Sequence, residues 1–342
     1  MLRTSALAVV LALTVAGEER LVVRHAQDRT VTRKFERMLA LELDSMTSRL
    51  DGEEMPGHGD VKQSTSESSE LVVTDRVTAL DDGRPSKLVR RFDTIATKRS
   101  MQLSNPMSGD VADESAESSE LVGRTVEFER TDGEWTRSFA GEEQADTALL
   151  DGLVAELDLA EFLPADAVAP GAKWEIPAEA FARLSRPAGD LHLERDGEAK
   201  LPSTRLERGA LAAQWSGEIS AELRGESETA GERLLEIGLR VEVSAHTDLA
   251  DAFRAANADR PNDPHSGAMS PEVVSALEDQ TYTGEGRLVW NATQGRIQTL
   301  ELECELARKQ DMVFTIAFGG EERELSQLSS FTGKETFSIA FE

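Results

Sequence analysis

A two-residue alternation of apolar and charged side chains runs through most of the chain and limits its fold more than any other feature. Leu235, Ile237, Leu239, Val241 and Val243 alternate with Glu236, Gly238, Arg240 and Glu242. Leu300, Leu302, Cys304 and Leu306 alternate with Glu301, Glu303 and Glu305. Phe314, Ile316 and Phe318 repeat the pattern, as do Phe337, Ile339 and Phe341. Leu39, Leu41 and Leu43, then Val73, Val77 and Ala79 around Asp75, then Val126 and Phe128, extend it toward the amino terminus. Successive side chains of a strand point to opposite faces, so each segment has one apolar and one charged face. Antiparallel strands with one side on a core and the other in water read this way. The expected fold class is mainly β (α+β): a large curved antiparallel sheet or half-barrel with a few helices packed on one side.

Turn residues fall between these segments. Asp81-Asp82-Gly83, Thr131-Asp132-Gly133 and Thr293-Gln294-Gly295 each separate two strand patterns, and Gly319-Gly320 closes the one at Phe318. Connections this short make neighbouring strands pair in chain order, as a meander. Residues 51–70 and 104–119, rich in Gly, Ser and acids, read as weakly structured. Two stretches carry helical spacing. In residues 144–159, Leu149, Leu150, Leu153, Val154 and Leu157 form a stripe that predicts a helix. Residues 247–279 predict a helical insertion: Thr247 caps a helix from Leu249 to Ala256, and Ser270-Pro271-Glu272 starts another over Val273 to Leu277.

The chain therefore divides into three parts. Residues 1–16 read as a signal peptide, with Arg3 ahead of the apolar run Ala6 to Ala16, and Thr14 and Ala16 at small-residue cleavage positions. Residues 17–165 form a strand-rich half containing the helix at 144–159. Residues 166–342 form an antiparallel sheet interrupted at 247–279, and the two halves are compatible with one continuous sheet or with two domains. The signal implies export, to a periplasmic or secreted location, with no stable membrane insertion after cleavage.

Composition narrows the partners. There are 64 acidic and 37 basic residues, a net charge of −27. A surface that acidic repels nucleic-acid phosphates and anionic headgroups, so no nucleic-acid partner is expected. Hydrophobic residues make up 39%, which is enough for a packed core. Cys304, the single cysteine, has no intramolecular disulfide partner and reads as a small buried hydrophobe.

No nucleophile elbow, phosphate-binding loop, H-E-x-x-H or C-x-x-C motif occurs, so no catalytic residue and no cofactor is assigned. His58, in Pro56-Gly57-His58-Gly59-Asp60, and His265 with Asp263, in Asn262-Asp263-Pro264-His265-Ser266, are the weak metal candidates, because imidazole and carboxylate suit transition metals. Trp135, Trp174, Trp215 and Trp290 all lie in or beside strand patterns. They read as sheet packing and, in a ligand-binding fold, as candidates to line the site. Asn291-Ala292-Thr293 matches a glycosylation acceptor but falls in a turn.

The segment Leu163-Pro164-Ala165-Asp166-Ala167-Val168-Ala169-Pro170-Gly171-Ala172-Lys173-Trp174-Glu175-Ile176 resembles a motif of exported, strand-rich bacterial proteins of unknown function. Gly284-Glu285-Gly286-Arg287-Leu288-Val289-Trp290, followed by Gly295-Arg296-Ile297, resembles their closing hairpin. More distantly, a curved sheet wrapping helices is similar to the periplasmic lipoprotein-carrier half-barrels. The resemblance implies an extracytoplasmic strand-rich fold and supplies no catalytic residues. The expected function is a soluble extracytoplasmic binding or interaction protein, more an acceptor of a hydrophobic small molecule on its concave face than an enzyme. Two alternatives stand beside it: an exported hydrolase with a metal or carboxylate site in loops 51–63 or 257–269, and a cell-envelope structural protein partnered by other envelope proteins.

Overall fold

A computed structural model describes residues 18–55, 61–105, 109–141, 145–195, 213–258, 272–318 and 321–342. The alternation is realised as strands. The amino-terminal set is β1 (Thr30–Leu50), β2 (Glu53–Glu54), β3 (Lys62–Asp81), β4 (Arg84–Asn105), β5 (Gly109–Ser118), β6 (Thr125–Thr131) and β7 (Glu134–Phe139). The second set is β8 (Lys173–Ile176), β9 (Glu194–Arg195), β10 (Gln214–Thr229), β11 (Glu232–Asp248), β12 (Glu272–Asn291), β13 (Arg296–Phe318) and β14 (Glu321–Phe341). All belong to one sheet whose main path is β7-β6-β4-β3-β1-β14-β13-β12-β11-β10-β8. The two halves are thus one continuous sheet. β1 pairs antiparallel with β14 from Arg33 opposite Phe341 to Leu50 opposite Leu325, and this long pairing joins the two meanders. Short β5 and β9 pair off the main path, so the sequence regions read as weakly structured are largely strand.

The hairpins form where the turn residues stand. Asp82-Gly83 (φ +46° and +75°), Asp132-Gly133 (+53°, +89°) and Ala230-Gly231 (+53°, +80°) each hold two successive left-handed residues. That conformation matches the strand twist of a two-residue hairpin. At the β12–β13 turn the Asn291 side chain donates to Glu232 (2.8 Å) and accepts from the Gln294 amide (2.9 Å). Asn291 is only 1% exposed, so its amide serves the turn and is closed to modification. Register shifts in β1, β3, β10 and β12 bend the strands and give the sheet its curvature.

The concave side is half filled by the segment from Asp146 to Arg195. The expected helix at 144–159 does not form. Asp146 accepts from the Ala148 amide (2.9 Å) to cap a single 3₁₀ turn, Thr147–Leu150, and Gly152 at φ +74° ends it. Beyond that, the chain runs irregularly, and tertiary donors satisfy its carbonyls: Arg137 reaches Leu153 O (2.7 Å), and Arg90 reaches Val154 O (2.6 Å) and Ala155 O (2.7 Å). Buried Leu153, Ala155, Leu157 and Leu159 also fit a period of two, so the leucine stripe did not discriminate helix from extended chain. Helix α1 (Ala180–Ser185) then packs its buried face inward. The Phe181 ring centroid lies 4.7 Å from that of Tyr282 and 5.5 Å from those of Trp215 and Phe337.

The insertion is helical over part of its expected length. Helix α2 (Ala250–Ala258) is capped by Asp248, whose carboxylate accepts from the Ala250 amide (2.9 Å), while Thr247 stays in β11. Val273 to Leu277 are strand, not helix. They open β12, where β13 offers backbone partners on one side, with Val273 opposite Phe314, and β11 reaches Leu277 on the other. The packed apolar positions Leu249, Ala250, Val273 and Ala276 form a small second core under α2.

Candidate ligand-binding site

The unfilled half of the concave side is a cavity of about 650 Å³. Its apolar lining comes from the inward phase of the strands: Phe35, Leu39 and Leu41 on β1, Leu71 on β3, Ile95 on β4, Leu306 on β13, and Phe331 and Ile339 on β14. Leu184, Leu191 and Leu193 from the filling segment and Leu249 at the start of α2 face the same space.

Across this apolar surface runs a belt of polar groups set at the same inward phase. Each occupies a place where the alternation calls for an apolar residue. Arg37 stands between Phe35 and Leu39, Glu335 between Gly333 and Phe337, and Arg308 follows Leu306 by two. Strand register carries the belt across the sheet: Glu67 lies opposite Arg99 on β4 and Leu39 on β1, and Leu39 lies opposite Glu335. Glu67 accepts from Arg37 Nη1 (2.9 Å) and from Arg99 Nε (3.0 Å) and Nη2 (2.6 Å). Arg37 Nε also donates to Glu335, which is 1% exposed. On the next strands Glu278 meets Arg308 Nε (3.0 Å), Gln310 Nε2 (2.6 Å) and Gln280 Nε2 (2.5 Å). Tyr282 donates its hydroxyl to Gln280 Oε1 (2.6 Å).

The electrostatics follow from burial. Burial alone would raise the Glu67 carboxyl, but the Arg37 and Arg99 guanidinium groups hold it below the ordinary carboxylate range. Burial pushes the Tyr282 phenol well above its usual value, and nearby Glu335 adds to the shift. Three arginines (37, 99, 308) balance three glutamates (67, 278, 335) in the belt. Buried charges are tolerated only in such paired, hydrogen-bonded sets. Of the eight carboxylates around the cavity, Glu36 and Glu70 fall outside the inward phase and pair with Lys34, which leaves six against five arginines.

The sequence-derived candidates fare unequally. Trp215 lines the cavity, stacked on Tyr282 at 6.1 Å. Trp135, Trp174 and Trp290 do not line it. Trp174 Nε1 donates to Phe162 O (3.0 Å) and anchors the filling segment, Trp290 is buried in the core, and Trp135 packs against that core from β7. Strand membership placed all four in the sheet, but only register and face decide which one meets the cavity. His58, Asp263 and His265 lie outside the described residues, as do residues 1–16, residues 56–60 of the loop at 51–63 and residues 259–269 of the loop at 257–269. Among the described residues no group of three or more metal-ligating side chains comes together. The belt is the feature the sequence reading missed, although charged residues in an apolar strand phase were its visible signal.

Cys304 is fully buried on β13, and its thiol is pushed up to about 12, by burial first and then by Glu335 and Glu303. A thiolate is the reactive form, so the folded protein should resist thiol reagents at neutral pH. A maleimide labelling time course is expected to show no modification until denaturant is added; rapid labelling of native protein would contradict this burial.

No family model and no curated protein matches the chain. Among solved structures, the crystal structure of Pseudomonas aeruginosa OccK2 (OpdF) is similar at 9% sequence identity over 92% of this chain and 98% of that chain. The TM-score is 0.16, and so weak a likeness carries no argument about fold or function.

Proposed function

We propose that the protein is an extracytoplasmic binding protein whose cavity takes one amphiphilic small molecule, uncharged or cationic at its polar end. The observation that carries this reading is the cavity of about 650 Å³, walled by leucine and phenylalanine and crossed by a belt of buried polar groups. Small-molecule sites have this size and this mixture, with apolar walls for affinity and few polar groups for orientation. The belt arginines are already paired with glutamates, which argues against an anionic ligand such as a fatty acid. The signal-like segment 1–16, with Arg3 ahead of the apolar run Ala6 to Ala16, supplies the export part of the proposal.

Native mass spectrometry of protein purified from its own host is expected to show a mass increment that organic extraction removes. Thr65→Trp, which places a bulky side chain in the cavity from β3, should abolish the increment while far-ultraviolet circular dichroism stays unchanged. Protein that is always free of an increment, or a Thr65→Trp variant that keeps it, would remove the cavity as the site.

A further inference from the structure

Beyond Phe35 and Ile339, along the same strands, is a separate pocket of about 40 Å³, which shares no lining residue with the cavity. It lies between the amino-terminal strap that precedes β1 and the starts of β1 and β13. Four arginines line it, Arg24, Arg29, Arg33 and Arg296, against two aspartates, Asp75 and Asp158; His25 completes the titratable set. In a chain of net charge −27, that local excess of two positive charges is a departure from the general trend.

The acids present are already engaged. Asp75 accepts from Arg33 Nη1 (2.5 Å) and from Arg90 Nε (2.7 Å) and Nη2 (2.9 Å). Asp158 pairs with His25 (3.4 Å) and accepts from the Ala160 amide (3.1 Å). Arg29 donates to Gln294 Oε1 (2.7 Å). Three buried donors nevertheless have no hydrogen-bond partner among the described residues: Arg33 Nε, Arg296 Nε and Arg296 Nη1. Arg33 as a whole is 9% exposed. Burial and the adjacent Arg29 guanidinium both disfavour the charge on Arg296, which a neighbouring anion would relieve.

We infer that this pocket binds one small inorganic anion, which accepts from Arg33 and Arg296 and bridges the starts of β1 and β13 beneath the amino-terminal strap. A water needs roughly 10–15 Å³ by the same measure of volume, so the space suits a halide or a compact oxyanion and excludes an organic acid. Buried N–H groups left without acceptors are costly, and arginine forks match such anions well.

The test is thermal unfolding of the full chain in sodium gluconate against sodium chloride or sulfate at matched ionic strength. The expected result is a saturable rise of the wild-type midpoint by roughly 2–4 °C with one of the inorganic anions, and which one responds separates a halide site from an oxyanion site. Arg296→Gln should lose that response, while Arg240→Gln, on the outer face, should keep it. Equal behaviour in gluconate and the other salts, a rise that does not saturate, or an undiminished response in Arg296→Gln would overturn the inference. Should Arg296→Gln fold too poorly to melt, the linewidth of the chloride or sulfate nuclear resonance on wild-type protein decides instead. Broadening that a competing inorganic anion reverses supports the site, and its absence for both anions overturns it.

Discussion

Asp75→Asn is expected to lower the unfolding free energy by about 3–5 kcal/mol, the usual cost of removing one partner from a buried ion pair. Asp75 is the shared acceptor of two guanidinium groups, and Arg90 is fully buried at 0% exposure. Asparagine would remove the paired carboxylate of Arg90 and leave Arg33 only the more distant Asp158. The effect would propagate, because Arg90 also holds Val154 O and Ala155 O and so fixes the segment that half fills the concave side. Urea unfolding followed by tryptophan fluorescence checks this; a loss below about 1 kcal/mol would mean that the pair is solvated.

The same group sets a pH dependence. Burial would raise the Asp75 carboxyl, but Arg90 and Arg33 outweigh it and hold the folded value below the ordinary 3.8. A folded value below the unfolded one means that the stabilisation is complete above the unfolded value and is lost as pH falls through the folded one. Acid destabilisation of the wild type should therefore begin near pH 4 and deepen below it, and Asp75→Asn should flatten that part of the profile.

Gly333→Ala should be about as damaging, at about 3 kcal/mol or more. Gly333 sits in β14 on the inner face, opposite Leu41 of β1 and Leu306 of β13. A Cβ there would stand 1.8 Å from Ala40 O and 2.9 Å from Leu41 Cα, both backbone atoms that cannot turn aside. Gly284 and Gly286 of β12 are similar, with a Cβ 2.2 Å from Glu303 O and 2.5 Å from Glu301 O. Three missing side chains thus let adjacent backbones approach closely on the inner face. Gly225→Ala in β10 is the control, since its Cβ would meet nothing within 4 Å, and a change within about 0.5 kcal/mol is expected. Equal midpoints for both variants in urea would refute the close-approach argument.

Particular residues mark what was legible. The inward set Leu235, Ile237, Leu239, Val241 and Val243 of β11 is buried as its alternation requires, and Asp82-Gly83 and Asp132-Gly133 turn where their dipeptides do. Leu149 to Leu157 misled, because leucines at 150, 153 and 157 satisfy a helical stripe while donors from Arg90 and Arg137, distant in sequence, draw the backbone out of helix. Val273 to Leu277 misled in the same way: Ser-Pro-Glu is a sound helix start, yet open backbone groups on β11 and β13 outcompete a single short helix.

The sequence by itself determined the strands, the face each side chain takes and the hairpin turns, because pleat and turn conformation are local properties of a few consecutive residues. It also determined the acidity of the surface and the isolation of Cys304. Only the tertiary structure decided that β1 lies between β14 and β3, which brings Arg37 to Glu335 across 298 positions and to Glu67 across 30. That choice created the belt, the cavity and the arginine pocket. Pairing register is set by the summed packing of whole strands, and no local stretch of sequence carries that sum.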